Sequence, residues 1–154
     1  MFGYVKRFFK NRYDLQNETL YLKCIYKTKQ SEEINWLPSF VYDMIRKSDH
    51  KVVGRCDLRI GMNDYMYYMG NIGYVVYPPY RGHRYAAMAV ELMLEFAKGY
   101  MDEIIITCNP ENIASNRTCE IAGCTLVETV DVPADHELVR QGDLRKNIYR
   151  RKLG

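Results

Sequence analysis

The sequence has little of what holds a metal. Its three histidines, His50, His83 and His136, stand far apart, and its five cysteines, Cys24, Cys56, Cys108, Cys119 and Cys124, contain no CxxC pair. A structural zinc site needs clustered Cys and His ligands, so none is expected. The odd cysteine count, in otherwise apolar stretches, also argues against a disulfide framework, and a chain of 154 residues does not need one to be stable. Long apolar runs are missing too. Crossing a bilayer takes about 20 consecutive apolar residues, whereas the best run here, AAMAVELMLEFA, is interrupted by Glu91 and Glu95. The opening MFGYVKRFFKNR is basic but has neither the apolar core nor the cleavage site of a secretory signal. A soluble, cytoplasmic protein without a membrane partner is therefore expected. Charge of one sign is scarce as well: 22 Lys plus Arg against 19 Asp plus Glu leave a formal +3. That falls short of the basic footprint of a dedicated nucleic-acid binder. Tryptophan occurs once, tyrosine 14 times.

What is present reads as one globular domain over residues 1–154, with 47% apolar and 27% charged residues and no repeat or linker. Leu20 to Lys27, Ser39 to Ile45 and Val53 to Ile60 alternate apolar and polar residues, and the last two flank the polar turn RKSDHK, which predicts an antiparallel meander. Asn71 to Tyr77 is the next strand, closed by Pro78 and Pro79, which cannot donate to a ladder. The period then changes. Ala86, Ala89, Val90, Met93, Leu94 and Ala97 fall on one helical face, predicting a helix to about Tyr100. EIIIT (Glu103 to Thr107) is a short run suited to a buried strand. A second helix is expected with Asn109 as cap, Pro110 at its first position and Gly123 as stop. Thr125 to Val132 and Lys146 to Leu153 complete six or seven strands. The class is α/β, an α+β mixed sheet with an antiparallel first half and two main helices in the second half.

The segment PPYRGHRYAAMAV conflicts with helix stability. A helix N-terminus carries roughly +0.5 charge and exposes unpaired N–H groups, so acids or small hydroxyl residues are favoured there. This helix begins with Arg81, His83 and Arg84. The cost is relieved if an anion sits between them. Gly82 would let backbone approach that anion, and Ala86 adds little bulk in the first turn.

These residues lead to a resemblance. NIGYVVYPPYRGHRYAAMAVELML resembles motif A of the GNAT superfamily of N-acetyltransferases, in which a strand, a Q/R-x-x-G-x-G/A loop and a helix hold the pyrophosphate of acetyl-CoA. NIASNRTCEIAGC is similar to the family's next motif, with Asn112, Ser115, Gly123 and Cys124 at the matching places. Together the motifs span Asn71 to Cys124. The resemblance implies a GNAT-like fold whose later strands are parallel at a V-shaped opening. It also implies acetyl-CoA as cosubstrate, held by Val75, Val76, Tyr77, Arg81, Gly82, His83, Arg84, Tyr85, Ala86, Asn112 and Ser115. A main-chain N–H near Val75 would polarise the thioester carbonyl. The expected reaction is direct transfer of acetyl to a primary amine of a small molecule or peptide, with no covalent intermediate.

Several positions depart from the family pattern. Arg84 stands where the loop's first glycine is expected. Cys119 stands where many members have a tyrosine that protonates the departing thiolate, which leaves Ser115 and Cys119 as catalytic candidates, each with a bland reading beside it: a hydroxyl bonded back into the helix for Ser115, core packing for Cys119. Asn71 stands near the place of a glutamate base. An alkyl amine, pKa near 10.4, is free base in only about one molecule in a thousand at neutral pH, yet the nearest acids, Asp57 and Asp64, read equally as surface residues. Between Lys27 and Ser39 there is room for at most one short helix where the family has two, so the acceptor side falls to the first nineteen residues, the connection Gly61 to Gly70, the loop Ala134 to Arg145, or a second subunit in a homodimer. A non-catalytic acyl-CoA-binding sensor or assembly module stays open as the alternative. An RNA-binding reading has less behind it, because the tyrosines do not alternate on one strand beside basic residues.

Overall fold

The computed structural model describes residues 12–154. The opening basic segment, and with it part of the first nineteen residues considered for the acceptor side, lies outside the described residues. Eight strands are present: β1 (Leu15–Gln16), β2 (Leu20–Thr28), β3 (Ser39–Arg46), β4 (Val52–Arg59), β5 (Ile72–Val76), β6 (Glu103–Cys108), β7 (Thr125–Asp131) and β8 (Arg145–Lys152). The helices are α1 (Tyr85–Ala97), α2 (Ile113–Ile121) and a single turn, α3 (Glu137–Arg140). All seven strands expected from the pattern form, and the two-residue β1 is added.

Alternation explains β2 to β4. Leu20, Leu22 and Cys24 of β2 turn inward with Phe40, Tyr42 and Met44 of β3 and Val53, Cys56 and Leu58 of β4, all in one buried cluster. That cluster also takes in Ala89, Val90, Met93, Leu94 and Ala97 of α1 and Ile104 and Ile106 of β6. The face predicted for α1 is therefore the buried one, except at Ala86, which is only partly buried.

The sheet departs from the expected continuous, partly parallel one. Strands β1 to β5 form one antiparallel sheet in sequence order, and β6, β8 and β7 form a second antiparallel sheet in that order. Strands β5 and β6 share no ladder; a clasp at Asn71 joins them. The Asn71 N–H donates to the Ile105 carbonyl at 2.6 Å, and its side-chain oxygen accepts from the Ile105 N–H at 2.9 Å. Its side-chain nitrogen donates to the carbonyls of Arg59 (2.9 Å) and Gly61 (2.7 Å). The site expected for a glutamate base is thus a buried structural joint. Gly70 makes the close approach possible: its φ is +76°, and a Cβ there would lie 2.9 Å from the Ile105 carbonyl oxygen. Past the clasp, no strand among the described residues pairs with the outer edge of β5.

Helix α2 begins later than predicted. Asn109 is not its cap; the Asn109 side chain donates instead to Asp143 at 2.8 Å. Asn116 draws the carbonyls of Asn109, Pro110 and Asn112 onto its amide nitrogen, which keeps Asn109 to Asn112 in a turn. Asn112 becomes the cap, accepting from the Ser115 N–H at 3.1 Å. The stop is as predicted: Gly123 has φ +76°, and the Cys124 N–H returns to the Cys119 carbonyl at 3.0 Å in a Schellman-type end.

Candidate active site

After β5, Pro78–Tyr80 form one 3-10 turn and the chain enters the loop Arg81 to Arg84. Gly82 has φ +93°, and a Cβ there would meet nothing within 4 Å. The backbone angle, not crowding, calls for glycine. Arg84 caps α1 with φ 61° and ψ 24°, no side chain closes the helix, and its first turn has no acid. The left-handed conformation costs a residue with a side chain about 1–2 kcal/mol, so Arg84 holds under strain a backbone shape that glycine takes freely. Among the described residues, no side chain caps the first-turn N–H groups of α1. Arg81 ties the loop back to the strand, its Nε donating to the Val76 carbonyl at 2.9 Å.

This loop, the end of β5 and one face of α2 enclose a cavity of about 570 Å³. Of the eleven residues expected to hold the cofactor, every one but Tyr77 lines it. Tyr77 turns its N–H to the Val53 carbonyl at 2.9 Å, continuing the ladder to β4. Pattern reading missed Arg117, Thr118 and Ile121, which with Ala114 face the cavity at helical i, i+3, i+4, i+7 spacing. Among the described residues, three arginines, Arg81, Arg84 and Arg117, and His83 line it, and no carboxylate does.

The register corrects the expected main-chain donor. Strand β5 pairs with β4 from Gly54 opposite Val76 to Leu58 opposite Ile72 without a bulge. The Arg59 N–H donates to Asn71 and the Tyr77 N–H to Val53, which fixes the phase of that ladder. By antiparallel alternation, Gly73 and Val75 spend their N–H groups on β4, and Tyr74 and Val76 direct theirs to the open edge. The donors available to a ligand are therefore those of Tyr74 and Val76, not Val75.

A second cavity of about 240 Å³ continues from the first, sharing Tyr74, Asn112 and Ser115 with it. Its outer wall uses two of the segments named for the acceptor side, since Met69 comes from the Gly61 to Gly70 connection and Leu138 from the Ala134 to Arg145 loop. Among the described residues, the stretch between β2 and β3 holds no helix, only an isolated bridge between Ser31 and Trp36. His136 joins the two wall segments. The Leu138 N–H donates to its Nδ1 at 3.1 Å, so Nδ1 is the acceptor, Nε2 carries the proton, and Nε2–H donates to the Tyr65 carbonyl at 2.8 Å. The Tyr65 ring stacks on the imidazole at 4.0 Å. Loss of two such bonds, at about 1 kcal/mol net each, should loosen this wall alone. His136→Ala is expected to speed amide exchange in the Tyr65 to Gly70 and Glu137 to Arg140 segments roughly tenfold and leave β5 and α1 within about twofold, as hydrogen-exchange mass spectrometry would show.

The acids and thiols separate clearly. Asp64 is exposed and lines neither cavity. Asp57 is no solvated surface residue: its side chain is 20% exposed and bonds the Arg59 Nε at 2.7 Å. Burial raises its carboxyl pKa, against the lowering effect of Arg59. A Cβ on Gly73 would fall 2.6 Å from both Asp57 and Arg59, so glycine leaves room for this ion pair; Arg59 and Gly73 line the second cavity, and Asp57, behind them, lines neither cavity. Cys119 is fully buried, and a hydrogen bond with Cys108, with burial second, holds its thiol far above the ordinary range. It packs the core, as in its bland reading.

The residues match the GNAT acetyltransferase domain from position 3 to 125, and the chain belongs to that family. Comparison with curated proteins returns no match. Among solved structures, a Sphaerobacter thermophilus protein described as an acetyltransferase is similar over 92% of this chain and 98% of its own, with TM-score 0.60 and 15% identity. A GNAT-family acetyltransferase of Bacillus anthracis matches over 73% of this chain and 66% of its own, with TM-score 0.59 and 23% identity. The microcin C7 self-immunity acetyltransferase MccE, solved with acetyl-CoA and AMP, matches over 74% of this chain and 61% of its own, with TM-score 0.58 and 20% identity. The chain thus spans nearly all of the first and about two thirds or less of the other two. Among the described residues no helix is long and apolar enough to cross a membrane.

Proposed function

We propose that the protein transfers acetyl from acetyl-CoA to a primary amine of a small molecule or peptide. The observation that carries this reading is the uncapped head of α1, set behind a positive-φ glycine and lined by three arginines with no carboxylate. Unpaired N–H groups, a positive helix end and fixed cations together suit a pyrophosphate. The first cavity accepts the nucleotide end, and the free edge of β5 accepts the pantetheine arm as an added strand. The N–H groups of Tyr74 and Val76 are the edge donors available to the acetyl carbonyl, where they stabilise growing negative charge. The amine enters by the second cavity. Asp57, paired with Arg59 behind the Gly73 wall of that cavity and with its pKa raised by burial, takes the amine proton through water.

Calorimetry with acetyl-CoA and assay of free CoA thiol over a panel of amines and peptides test this reading. Saturable binding with amine-dependent thiol release is the expected result. Binding without release from any acceptor would favour the sensor alternative; absence of binding would overturn the phosphate-loop assignment.

A further inference from the structure

Among the described residues, the second cavity is lined by two cations, Arg59 and Lys146, and by no carboxylate. Arg59 is already committed: its guanidinium bonds Asp57 and donates to the carbonyls of Met69 and Gly70 at 3.0 and 3.1 Å. Lys146 is not. It lies on the face of β8 that it shares with the fully buried Ile148, and is itself only 9% exposed. Its ammonium has three protons to donate and makes no hydrogen bond among the described residues; its one ion pair there is with an Asp143 oxygen at 3.6 Å. The other Asp143 oxygen accepts from Asn109 at 2.8 Å. A cation this buried costs free energy until its donors are met. Asp57 and Asp143 stand behind the lining, not in it.

An alkyl amine, with a pKa near 10.4, arrives almost wholly as ammonium at neutral pH. A cavity that shows it cations and no carboxylate repels it, unless the acceptor brings a negative charge of its own. Resting on the acetyl-transfer reading, we infer that the acceptor is a small amine carrying an oxyanion, a carboxylate or a phosphate ester, and that Lys146 seats that group. The pairing meets the ammonium donors with a charge-assisted bond. With the anion fixed there, the amine end is left to reach Tyr74, Asn112 and Ser115, which line both cavities. The same cation favours the uncharged amine, the form that attacks, over its ammonium. The volume of about 240 Å³ suits a molecule of amino-acid size. It falls below the roughly 300 Å³ at which sites for drug-sized ligands begin.

The test measures kcat/KM for amines with and without the anion: alanine and serine against alaninamide and serinamide, and 2-aminoethyl phosphate against ethanolamine. Wild type should prefer the charged member by roughly 10- to 100-fold, the worth of a hydrogen bond to a charged group, and the set in which it does so separates carboxylate from phosphate. Lys146→Met removes the charge and keeps the stem; it should bring the ratio to within about threefold of one by raising KM. Lys146→Arg keeps the charge and should retain most of the preference. The acetyl-CoA Kd should stay within about twofold in both variants, which also shows that they fold. Preference of wild type for the uncharged amines, or a ratio that survives Lys146→Met, overturns the inference. Binding of the same acids to the CoA-loaded protein, followed by nuclear magnetic resonance of the small molecule, separates this site from the reading beneath it. Acids bound through Lys146 but never acetylated would remove the transfer reading alone. Acids that bind equally to wild type and Lys146→Met, or to neither, overturn the inference.

Discussion

Gly82→Asp should weaken acetyl-CoA binding by at least about 100-fold, the combined result of a strained backbone and a misplaced charge. At φ +93° a residue with a side chain is strained by about 1–3 kcal/mol. The loop can relieve that strain by leaving the conformation that presents its N–H groups. The new carboxylate would also sit among Arg81, Arg84 and Arg117, competing for the cations and repelling the phosphates. Because a Cβ at this position meets nothing within 4 Å, no clash spreads into the core, and the unfolding midpoint should move little. Gly82→Ala isolates the backbone part, with an expected loss of about tenfold. Calorimetric titration of both variants, beside thermal melts, checks the size and the separation of the two contributions.

Asn71→Ala should lower folding stability by about 3–5 kcal/mol, the cost of leaving several buried polar groups unpaired. Asn71 is 2% exposed. Its side chain serves the Ile105 N–H and the carbonyls of Arg59 and Gly61, and alanine strands all three. Because this residue is the joint between the two sheets, the loss also reaches the site: the opening between β5 and β6 would no longer be set. Urea unfolding followed by dichroism measures the effect. A change under about 1 kcal/mol would mean that water replaces the clasp and that other contacts set the opening.

How far the sequence carries depends on which forces act locally. Strands β2 to β4 and helix α1 follow from apolar periodicity, because each buries one face against the common core. The phosphate-type loop is legible because arginines at a helix head contradict the macrodipole. The start of α2 is not legible in this way. Asn109-Pro110 has the local form of a cap, and what displaces it is Asp143, distant in sequence, together with the hold of Asn116 on three carbonyls. The N–H directions on β5 are hidden for another reason. Side-chain alternation reveals faces, whereas hydrogen-bond phase depends on the bonds at Asn71 and Tyr77. Arg117 carried a readable signal, its helical spacing from Ala114, Thr118 and Ile121, once the start of α2 was known.

The tyrosines gain specific work. Of the 14, seven fall between Tyr65 and Tyr85. Tyr65 stacks on His136 behind the wall of the second cavity, the Tyr67 hydroxyl donates to Glu128 at 2.5 Å, and Tyr74 lines both cavities. A phenol combines an apolar ring with a polar tip, which suits a half-wet wall.

Calorimetric titration of wild-type protein with acetyl-CoA decides whether the uncapped, arginine-lined head of α1 holds the cosubstrate. The expected result is saturable binding at one molecule per chain that weakens as salt is raised and is lost in Gly82→Asp. No saturable heat, or binding equally strong in Gly82→Asp, would contradict it.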